Sequence, residues 1–318
     1  MSESPYKKGI GQAHGKIILM GEHSVVYGEP SIAIPFPAVT IQATVKPAEK
    51  ATTIACDFYQ GVLEEMPELL ESVKQTIQVC LNTLNHSTDY LSIQIDSTIP
   101  AERGMGSSAA VAVATTRAIY DFYQTPLSQK DLLAIVDVAE KISHGNPSGL
   151  DALMTSSDCP YYYIKNQAFE PVILNLNATL VVADTGHTGQ TREAVRSVSD
   201  KLNGPKKEIY QTYIHRLGRL AKESRQYLSE NNPYELGKAM NQAQIALAEL
   251  GVSSLELDRL IVSALSNQAL GAKLTGGGRG GCMIALAENQ KIAKKIAEAL
   301  EKTGANQTWI YEMSESHC

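Results

Sequence analysis

Apolar residues recur with two different periods along the chain, and these periods predict where strands and helices lie. Val39–Val45 and Leu91–Ile95 alternate apolar and polar residues, which is the period of a half-buried strand. Gly106–Tyr123 is rich in alanine and has helical spacing. The other elements expected in the first half are apolar runs at Lys16–Met20 and Ile32–Phe36, helices at Pro67–Leu84 and from Ser128 to about His144, and strands at Tyr161–Ile164 and Val172–Leu174.

The second half of the chain is richer in helical patterns. Strands and helices are mixed without a regular βαβ alternation, which favours an α+β fold over a doubly wound α/β fold. A change in character near residue 178 predicts two domains, 1–178 and 179–318. The expected helices are Gln190–Leu202, Lys206–Leu228, Pro233–Leu250, Leu255–Ala269 and Asn289–Lys302, and the expected strands are Leu180–Ala183, Ala272–Leu274, Cys282–Ala287 and Thr308–Tyr311.

Composition narrows the class of protein. The 318 residues are 43% hydrophobic and 19% charged, which is enough apolar material for a globular core. A net charge of -6 argues against a nucleic-acid-binding protein, because such proteins usually have a basic surface. No apolar run is long enough to span a membrane. Five widely spaced cysteines without a CxxC pair and a polar start without a signal-peptide pattern predict reduced thiols and a cytoplasmic protein.

The motif with the most specific chemistry is PAERGMGSSAA, which starts at Pro100 between a predicted strand and the alanine-rich helix. Gly104 and Gly106 allow a tight turn and close approach of the backbone to a ligand. The amides of the following residues then lie free at a helix N-terminus, which suits phosphate groups. An ordinary capped helix with a small-residue face is the alternative. No Walker A sequence occurs in the chain.

Two further segments gather charged residues around turns. In the first, Lys16 opens an apolar strand and Glu22 and His23 follow it, a costly grouping unless the charges face a cleft or one another. In the second, a cluster of turn residues lies between Glu140 and Asp151, which could aim both carboxylates into one site. Each segment also has a structural interpretation, as surface charge or as a helix end followed by a loop.

A glycine run, TGGGRGG from Thr275, matches the dinucleotide-binding pattern G-x-G-x-x-G. The match is rejected because a strand, and not a helix, follows the run. Two strands joined by a glycine-rich turn fit the sequence better, and so many glycines imply that another part of the chain or the phosphate region approaches the backbone closely.

Together these motifs resemble the GHMP kinase superfamily, and most closely its mevalonate kinase family, from about Gly15 to Ala287. The resemblance implies an N-terminal half like domain 2 of ribosomal protein S5 and a ferredoxin-like C-terminal half. It implies ATP and Mg²⁺ as cofactors, mevalonate as the substrate in isoprenoid biosynthesis, and a homodimer as the family-level expectation. Another GHMP kinase, for phosphomevalonate or a sugar, and a non-catalytic nucleotide-binding regulator remain alternatives.

The resemblance also implies roles for individual residues. Ser108 and Glu140 would bind magnesium. Asp151 would act on the substrate hydroxyl with Lys16 beside it, either as a true base or only by orienting the hydroxyl while Lys16 stabilises the alkoxide. The residues implied for the nucleotide are Ser97, Glu102, Arg103, Gly104, Met105, Gly106, Ser107 and Ser108. The residues implied for the mevalonate pocket are Lys16, Glu22, His23, Asp151 and Thr191.

The sequence departs from the family pattern in two places. Glu102 and Arg103 stand where many members have small residues, and Arg279 interrupts the glycine run. The first departure puts the individual nucleotide contacts in question, and the second adds either a phosphate contact or a solvent-facing charge.

Overall fold

The computed structural model describes residues 8–144 and 149–313. The predicted turn residues 145–148 therefore lie outside the described residues. The chain divides into two compact units, and neither is continuous in sequence. The first unit contains the chain up to Gly15, Val39–Pro100 and Gly106–Ser156, and the second contains Lys16–Ala38, Ala101–Met105 and the chain from Ser157 onward. The predicted domain boundary at residue 178 stays a prediction.

The regular elements follow one another in mixed order. The strands are β1 (Gly9–Met20), β2 (Ser31–Pro47), β3 (Thr53–Cys56), β4 (Tyr59–Val62), β5 (Leu91–Ser97), β6 (Tyr161–Tyr163), β7 (Glu170–Pro171), β8 (Thr179–Asp184), β9 (Gly271–Thr275), β10 (Cys282–Ala287) and β11 (Gln307–Glu312). The α-helices are α1 (Glu71–Thr83), α2 (Ser107–Phe122), α3 (Gln129–His144), α4 (Leu150–Ser156), α5 (Thr191–Leu202), α6 (Lys207–Ser229), α7 (Pro233–Glu249), α8 (Leu255–Ser266) and α9 (Gln290–Thr303). Short 3-10 helices cover Ser24–Tyr27, Leu63–Glu65 and Glu68–Leu70.

The first unit pairs its strands in the order β4-β3-β5-β2. The later part of β2 runs antiparallel to β5, with Ile41 opposite Ser97 and Val45 opposite Ile93. Alternate residues of these strands are buried, as their sequence period predicts. Helices α1, α2 and α3 pack against one another, and α4 packs against α2 and α3.

Close packing of β1 on α2 explains the small residues in both elements. A Cβ on Gly9 would lie 2.2 Å from the carbonyl oxygen of Ala118, and one on Gly11 would lie 2.1 Å from that of Ala114. The helix therefore approaches the strand more closely than any side chain on these glycines would allow. Arg117 fixes the same contact from the helix, since its guanidinium donates to the carbonyl of Gln12 at 2.6 Å.

The second unit contains a four-stranded antiparallel sheet in the order β11-β8-β10-β9. In chain order these strands occupy positions four, one, three and two, with α5–α8 and α9 as the connections, which is the ferredoxin-like arrangement. Every residue of β8, β9 and β10 is buried. The predicted α+β class and the ferredoxin-like C-terminal half are confirmed.

One local prediction is wrong, and some observed elements were not predicted. Val172–Leu174 is not a strand, although Val172 and Leu174 are buried and Ile173 is 72% exposed. An alternating pattern indicates only which side chains are buried. A strand also requires ladder hydrogen bonds to a neighbouring strand, and the described residues show none for this segment. The β3–β4 hairpin was not predicted, because each strand has only four residues. Helix α4 was not predicted either, because its seven residues follow a segment dense in turn formers.

The predicted helix caps are present in the structure, and the predicted reduced state is found for most of the described cysteines. Asn289 accepts a hydrogen bond from the amide of Ile292 at 3.0 Å, and Ser128 accepts one from that of Asp131 at 3.1 Å. Three cysteines, Cys56, Cys80 and Cys282, are free. Cys159 is disulfide-bonded, so the prediction of reduced thiols is wrong there, since distance in sequence does not report distance in space. Among the described residues, no helix is long and apolar enough to cross a membrane.

Replacing Gly11 by Ala tests the close contact between β1 and α2. The new methyl group would collide with backbone and not with a movable side chain, so we expect a loss of about 1–3 kcal/mol in the free energy of unfolding. Urea denaturation followed by circular dichroism measures it. Gly204→Ala is the control, because its Cβ would lie 3.2 Å from the nearest atom. An equal effect of the two substitutions would contradict this account of the interface.

Candidate active site

Helix α2 begins directly after a glycine turn. Gly106 precedes the helix with φ of 76°, in the left-handed region, and no side chain caps the first turn. The amides of Ser107, Ser108 and Ala109 lie in the first turn, where no preceding carbonyl of the helix is available to accept them. The partial positive charge of this helix end adds to their attraction for anions. The predicted phosphate-binding turn therefore has the required local geometry.

Three packed helices of the first unit carry three of the predicted site residues. Ser108 lies in the first turn of α2, Glu140 near the end of α3 and Asp151 in the first turn of α4. The Glu140 side chain is buried, with 3% of its surface exposed, whereas Asp151 is half-buried. A buried carboxylate is costly unless a cation or donor compensates its charge. Ser97, predicted on the nucleotide side, ends β5, and its hydroxyl bonds to the backbone of Ile99.

The second unit contains the charged turn that follows β1. Gly21 has φ of 96°, and a Cβ there would lie 2.4 Å from the carbonyl oxygen of Pro30. His23 also has positive φ, at 60°, immediately before the 3-10 helix Ser24–Tyr27. Lys16 lies on β1 with 3% of its surface exposed, and its amide donates to the carbonyl of Met105 at 3.0 Å.

The imidazole of His23 joins this turn to the glycine run. Its Nε2 lies 3.0 Å from the carbonyl oxygen of Gly277. Because a carbonyl only accepts, Nε2 carries the hydrogen. Burial lowers the pKa of His23 to about 4, the hydrogen bond to Gly277 opposes the shift, and the positive charge of Arg279 adds to it. His23 is therefore neutral at physiological pH and acts as a fixed donor, not as a cation.

Arg103 braces the loop that precedes α2. Its Nε donates to the Asp184 carboxylate at 2.8 Å, and its two terminal nitrogens donate to the carbonyls of Ala101 and Gly186 at 3.3 and 3.0 Å. Asp184, at the end of β8, is nearly fully buried. Each nitrogen of the guanidinium thus has a protein partner. The neighbouring Glu102 has φ of 56°, and its carbonyl accepts from the amide of Gly189 at 2.8 Å.

The glycine run forms the turn between β9 and β10 and is approached by backbone from several sides. A Cβ on Gly276 would lie 3.0 Å from Cα of Gly104, and one on Gly278 would lie 2.1 Å from the carbonyl oxygen of Val252. A Cβ on Gly277 would lie 2.3 Å from the hydroxyl of Thr191, the exposed first residue of α5. The expected close approach is therefore to other parts of the second unit.

Arg279 supports the end of a helix. It has φ of 56°, its amide donates to the carbonyl of Val252 at 2.8 Å, and its Nε donates to that of Gly251 at 3.3 Å. Lys201 donates to the neighbouring carbonyl of Leu250 at 2.6 Å. Two cations thus lie at the negative C-terminal end of α7, a stabilising arrangement. These bonds give Arg279 a structural role within the second unit.

The sequence analysis missed one buried charged residue, Lys273 in β9. Its ammonium contacts Oε1 of Glu22, and neither side chain has exposed surface. Burial raises the pKa of Glu22, against the attraction of Lys273 and Lys16, and it lowers the pKa of Lys273, against the attraction of Glu22. Each residue therefore depends on the other to keep its charge. The sequence feature that could have indicated this pair is a lysine inside an otherwise apolar strand.

The predicted site residues fall into two groups when each unit is considered by itself. The first unit contains Ser97, Gly106, Ser107, Ser108, Glu140 and Asp151. The second unit contains Lys16, Glu22, His23, Glu102, Arg103, Gly104, Met105 and Thr191. Within the second unit, the backbone around the glycine run and the buried pair of Glu22 and Lys273 connect the segments that carry these residues.

The donor set predicted for magnesium suits that ion. A serine hydroxyl and a buried carboxylate are hard oxygen ligands, which Mg²⁺ prefers. Glu140 is only 3% exposed, and a cation beside a buried carboxylate is stabilising. Among the described residues, no cluster of three or more His, Cys, Asp or Glu side chains could hold a metal, so phosphate oxygens and water would complete the coordination.

Comparison with known proteins agrees with this fold. Residues 71–157 match the GHMP kinases N terminal domain, and residues 224–306 match the GHMP kinases C terminal family. The mevalonate kinase of Aeropyrum pernix is 32% identical over 307 residues, covering 92% of each chain. That of Pyrococcus horikoshii is 31% identical, covering 93% of this chain and 92% of the relative.

Solved structures give the same result. The mevalonate kinase from methicillin-resistant Staphylococcus aureus superposes with a TM-score of 0.75 at 31% identity, covering 97% of this chain and 99% of that one. The Leishmania major (L. major) mevalonate kinase, solved in complex with R-mevalonate, superposes with a TM-score of 0.83 at 26% identity over all of both chains. The fold and these matches define a GHMP kinase, which uses ATP. Within that class, the chain belongs to the mevalonate kinase family.

The pH dependence of stability tests the state of His23. Unfolded His23 binds a proton below about pH 6.5, whereas the folded residue does so only below about 4. The unfolded state therefore binds more protons between these values, and stability falls as the pH drops through them, by up to about 1.4 kcal/mol per pH unit.

The measurement is urea denaturation of wild type and His23→Gln at several pH values from 4 to 8. The variant lacks this proton, so its stability should depend less steeply on pH between 4 and 6.5. Above pH 7 the difference between the two proteins should be constant, which serves as the internal control. Parallel curves over the whole range would contradict a neutral, buried His23.

Proposed function

We propose that this chain transfers the γ-phosphoryl group of ATP to the primary hydroxyl of mevalonate and so forms 5-phosphomevalonate. The observation that carries the proposal is the uncapped N-terminus of α2, which offers an anion site after a glycine turn. The similarity of nearly the whole chain to mevalonate kinases supports mevalonate as the alcohol.

In this proposal the nucleotide phosphates lie against the segment Glu102–Ser108. The amides at the start of α2 donate to phosphate oxygens, and Ser97 lies on the nucleotide side. Arg103 contributes by holding the segment in place, because its guanidinium already donates to Asp184 and to two carbonyls. Phosphoryl transfer depends mainly on such positioning and on neutralising charge.

Ser108 and Glu140 would hold magnesium. The ion, when bound, neutralises charge on the transferring phosphoryl group. The two side chains lie on packed helices of one unit, so their positions are fixed by the core of that unit. Glu140 is buried, with 3% of its surface exposed, which suits a ligand more than a surface charge.

Asp151 and Lys16 act on the reacting hydroxyl in the proposal. Asp151 accepts the hydroxyl proton, or it orients the hydroxyl while the Lys16 ammonium stabilises the alkoxide that forms. Asp151 is half-buried in the first turn of α4, where a carboxylate also benefits from the helix N-terminus. Lys16 is almost fully buried on β1, which favours one fixed position for its ammonium group.

The substrate pocket would be supported by Glu22 and His23 and bordered by Thr191. Glu22 and His23 have 1% and 6% of their surface exposed, so they serve as its supporting wall. Thr191 is exposed at the start of α5 and is available to a ligand. A homodimer remains a family-level prediction.

An alcohol panel tests the substrate. With ATP and Mg²⁺, purified protein should phosphorylate mevalonate with the highest kcat/KM. Galactose, homoserine and phosphomevalonate should react at least about a hundredfold more slowly, because each lacks one or more of the groups by which the pocket would bind mevalonate. A coupled ATP-consumption assay with product identification by mass spectrometry measures this. Phosphomevalonate as the only good substrate would defeat the proposal, and so would ATP binding without any product.

Substitution of Asp151 by Asn tests its role. The amide keeps the size of the side chain but removes the basic carboxylate, so kcat should fall by about 10²–10⁴-fold while ATP affinity is retained. Steady-state kinetics and calorimetric titration with ATP measure the two quantities. The control is Asp137→Asn, which replaces a 42% exposed carboxylate paired with Lys141 on α3. Turnover near wild type in Asp151→Asn would remove Asp151 from the mechanism.

A further inference from the structure

The buried pair of Lys273 and Glu22 is an unusual feature of the second unit, and no role assigned so far explains it. Lys273 lies in β9, a strand whose five residues are all buried, and Glu22 lies in the turn after β1. Their side chains are in contact, and both are completely shielded from solvent. Burying an ion pair costs desolvation energy that mutual attraction often fails to recover, so hydrophobic residues would serve stability at least as well.

One oxygen of Glu22 remains unused by the pair. Oε1 contacts the ammonium of Lys273, whereas Oε2 is buried and has no hydrogen-bond partner among the described residues. Such an orphaned acceptor is costly, and native proteins retain few of them. The pair therefore holds a carboxylate oxygen in a dry position without satisfying it.

Lys16 is the other cation that acts on Glu22. Its charge favours the ionised carboxylate, and its own side chain is also buried. The strands that carry the two lysines are joined, because the hydroxyl of Thr275 in β9 donates to the carbonyl of Ile18 in β1 at 2.9 Å. Glu22 thus interacts with both of these buried lysines.

We propose that Lys273 and Glu22 are positioning residues that act through Lys16. Lys273 holds the Glu22 carboxylate in place, and the charge of Glu22 in turn attracts the Lys16 ammonium and helps to position it. Neither residue touches the substrate, since both lack exposed surface. This inference rests on the proposed role of Lys16 in the reaction, and it adds Lys273 to the groups on which turnover depends.

The central experiment removes both charges of the pair together. Glu22→Gln/Lys273→Met removes both charges of the pair, so neither is left buried without the other and its Tm should be close to that of wild type, whereas Lys273→Met alone should have a lower Tm. If the pair serves Lys16, kcat of the double variant should fall about 10- to 100-fold, while KM for ATP and for mevalonate stays within about threefold. A purely structural pair would leave kcat unchanged once the fold is intact.

A second comparison tests the route through Lys16. Lys16→Met should lose about as much turnover as Asp151→Asn. Adding Glu22→Gln/Lys273→Met to Lys16→Met should cost nothing further, because residues that act as a unit are not additive. Multiplying effects would show that the pair acts by another route and would overturn the inference.

The design includes controls for folding and for charge. Trp309, the only tryptophan, lies edge-on to Phe36 in the same unit, so its fluorescence reports whether that unit is intact. Arg225→Met/Glu170→Gln removes a more exposed ion pair of the unit and should leave kcat unchanged. Should the double variant not fold, Glu22→Gln alone retains the shape of the side chain and must itself lower kcat.

The outcomes separate the two proposals. Wild-type turnover in a folded Glu22→Gln/Lys273→Met variant, together with an inactive Lys16→Met, would overturn this inference and leave the proposed function standing. Wild-type turnover in Lys16→Met would show that Lys16 takes no part in the reaction. It would contradict both the role proposed for Lys16 on the hydroxyl and the role proposed for the pair of Lys273 and Glu22.

Discussion

Close approach of backbone segments around the glycine run is the constraint on which the second unit depends. The turn between β9 and β10 lies against Gly104 and Val252 at distances that leave no room for side chains. The hydrogen bond from His23 ties the turn to the segment after β1, and Thr191 at the start of α5 lies beside it. Four segments that are far apart in sequence thus lie against the same turn, as a site that depends on positioning requires.

Around this reference, charges are buried and compensated in different ways. Arg103 and Asp184 form a pair with additional hydrogen bonds to carbonyls, so the desolvation of the guanidinium is offset by several partners. Lys273 and Glu22 have fewer partners and leave one oxygen unsatisfied. His23 carries no buried charge at physiological pH, because burial lowers its pKa to about 4. The first arrangement stabilises a loop, whereas the second is better explained by a demand of the reaction.

In the first unit, backbone and side chains both contribute to the candidate site. The glycines of β1 let α2 pack closely, and the helix, whose amide-rich first turn follows a left-handed residue, begins directly after Gly106. Helices α3 and α4 pack beside it and carry Glu140 and Asp151. Function in this unit follows from where helices begin and end, which short-range sequence signals largely specify.

The sequence by itself determined most elements, the caps at Ser128 and Asn289, the α+β class and the glycine turn before α2, because periodicity, capping and glycine chemistry act over a few residues. It did not reveal that β9 buries Lys273 against Glu22, 251 residues away, or that Arg103 is occupied by Asp184. It also mistook the alternation at Val172–Leu174 for a strand, since ladder bonds require a neighbour that the pattern does not name. These features were decided by tertiary structure, because the cost of a buried charge and the pairing of a strand depend on which distant residues lie beside them.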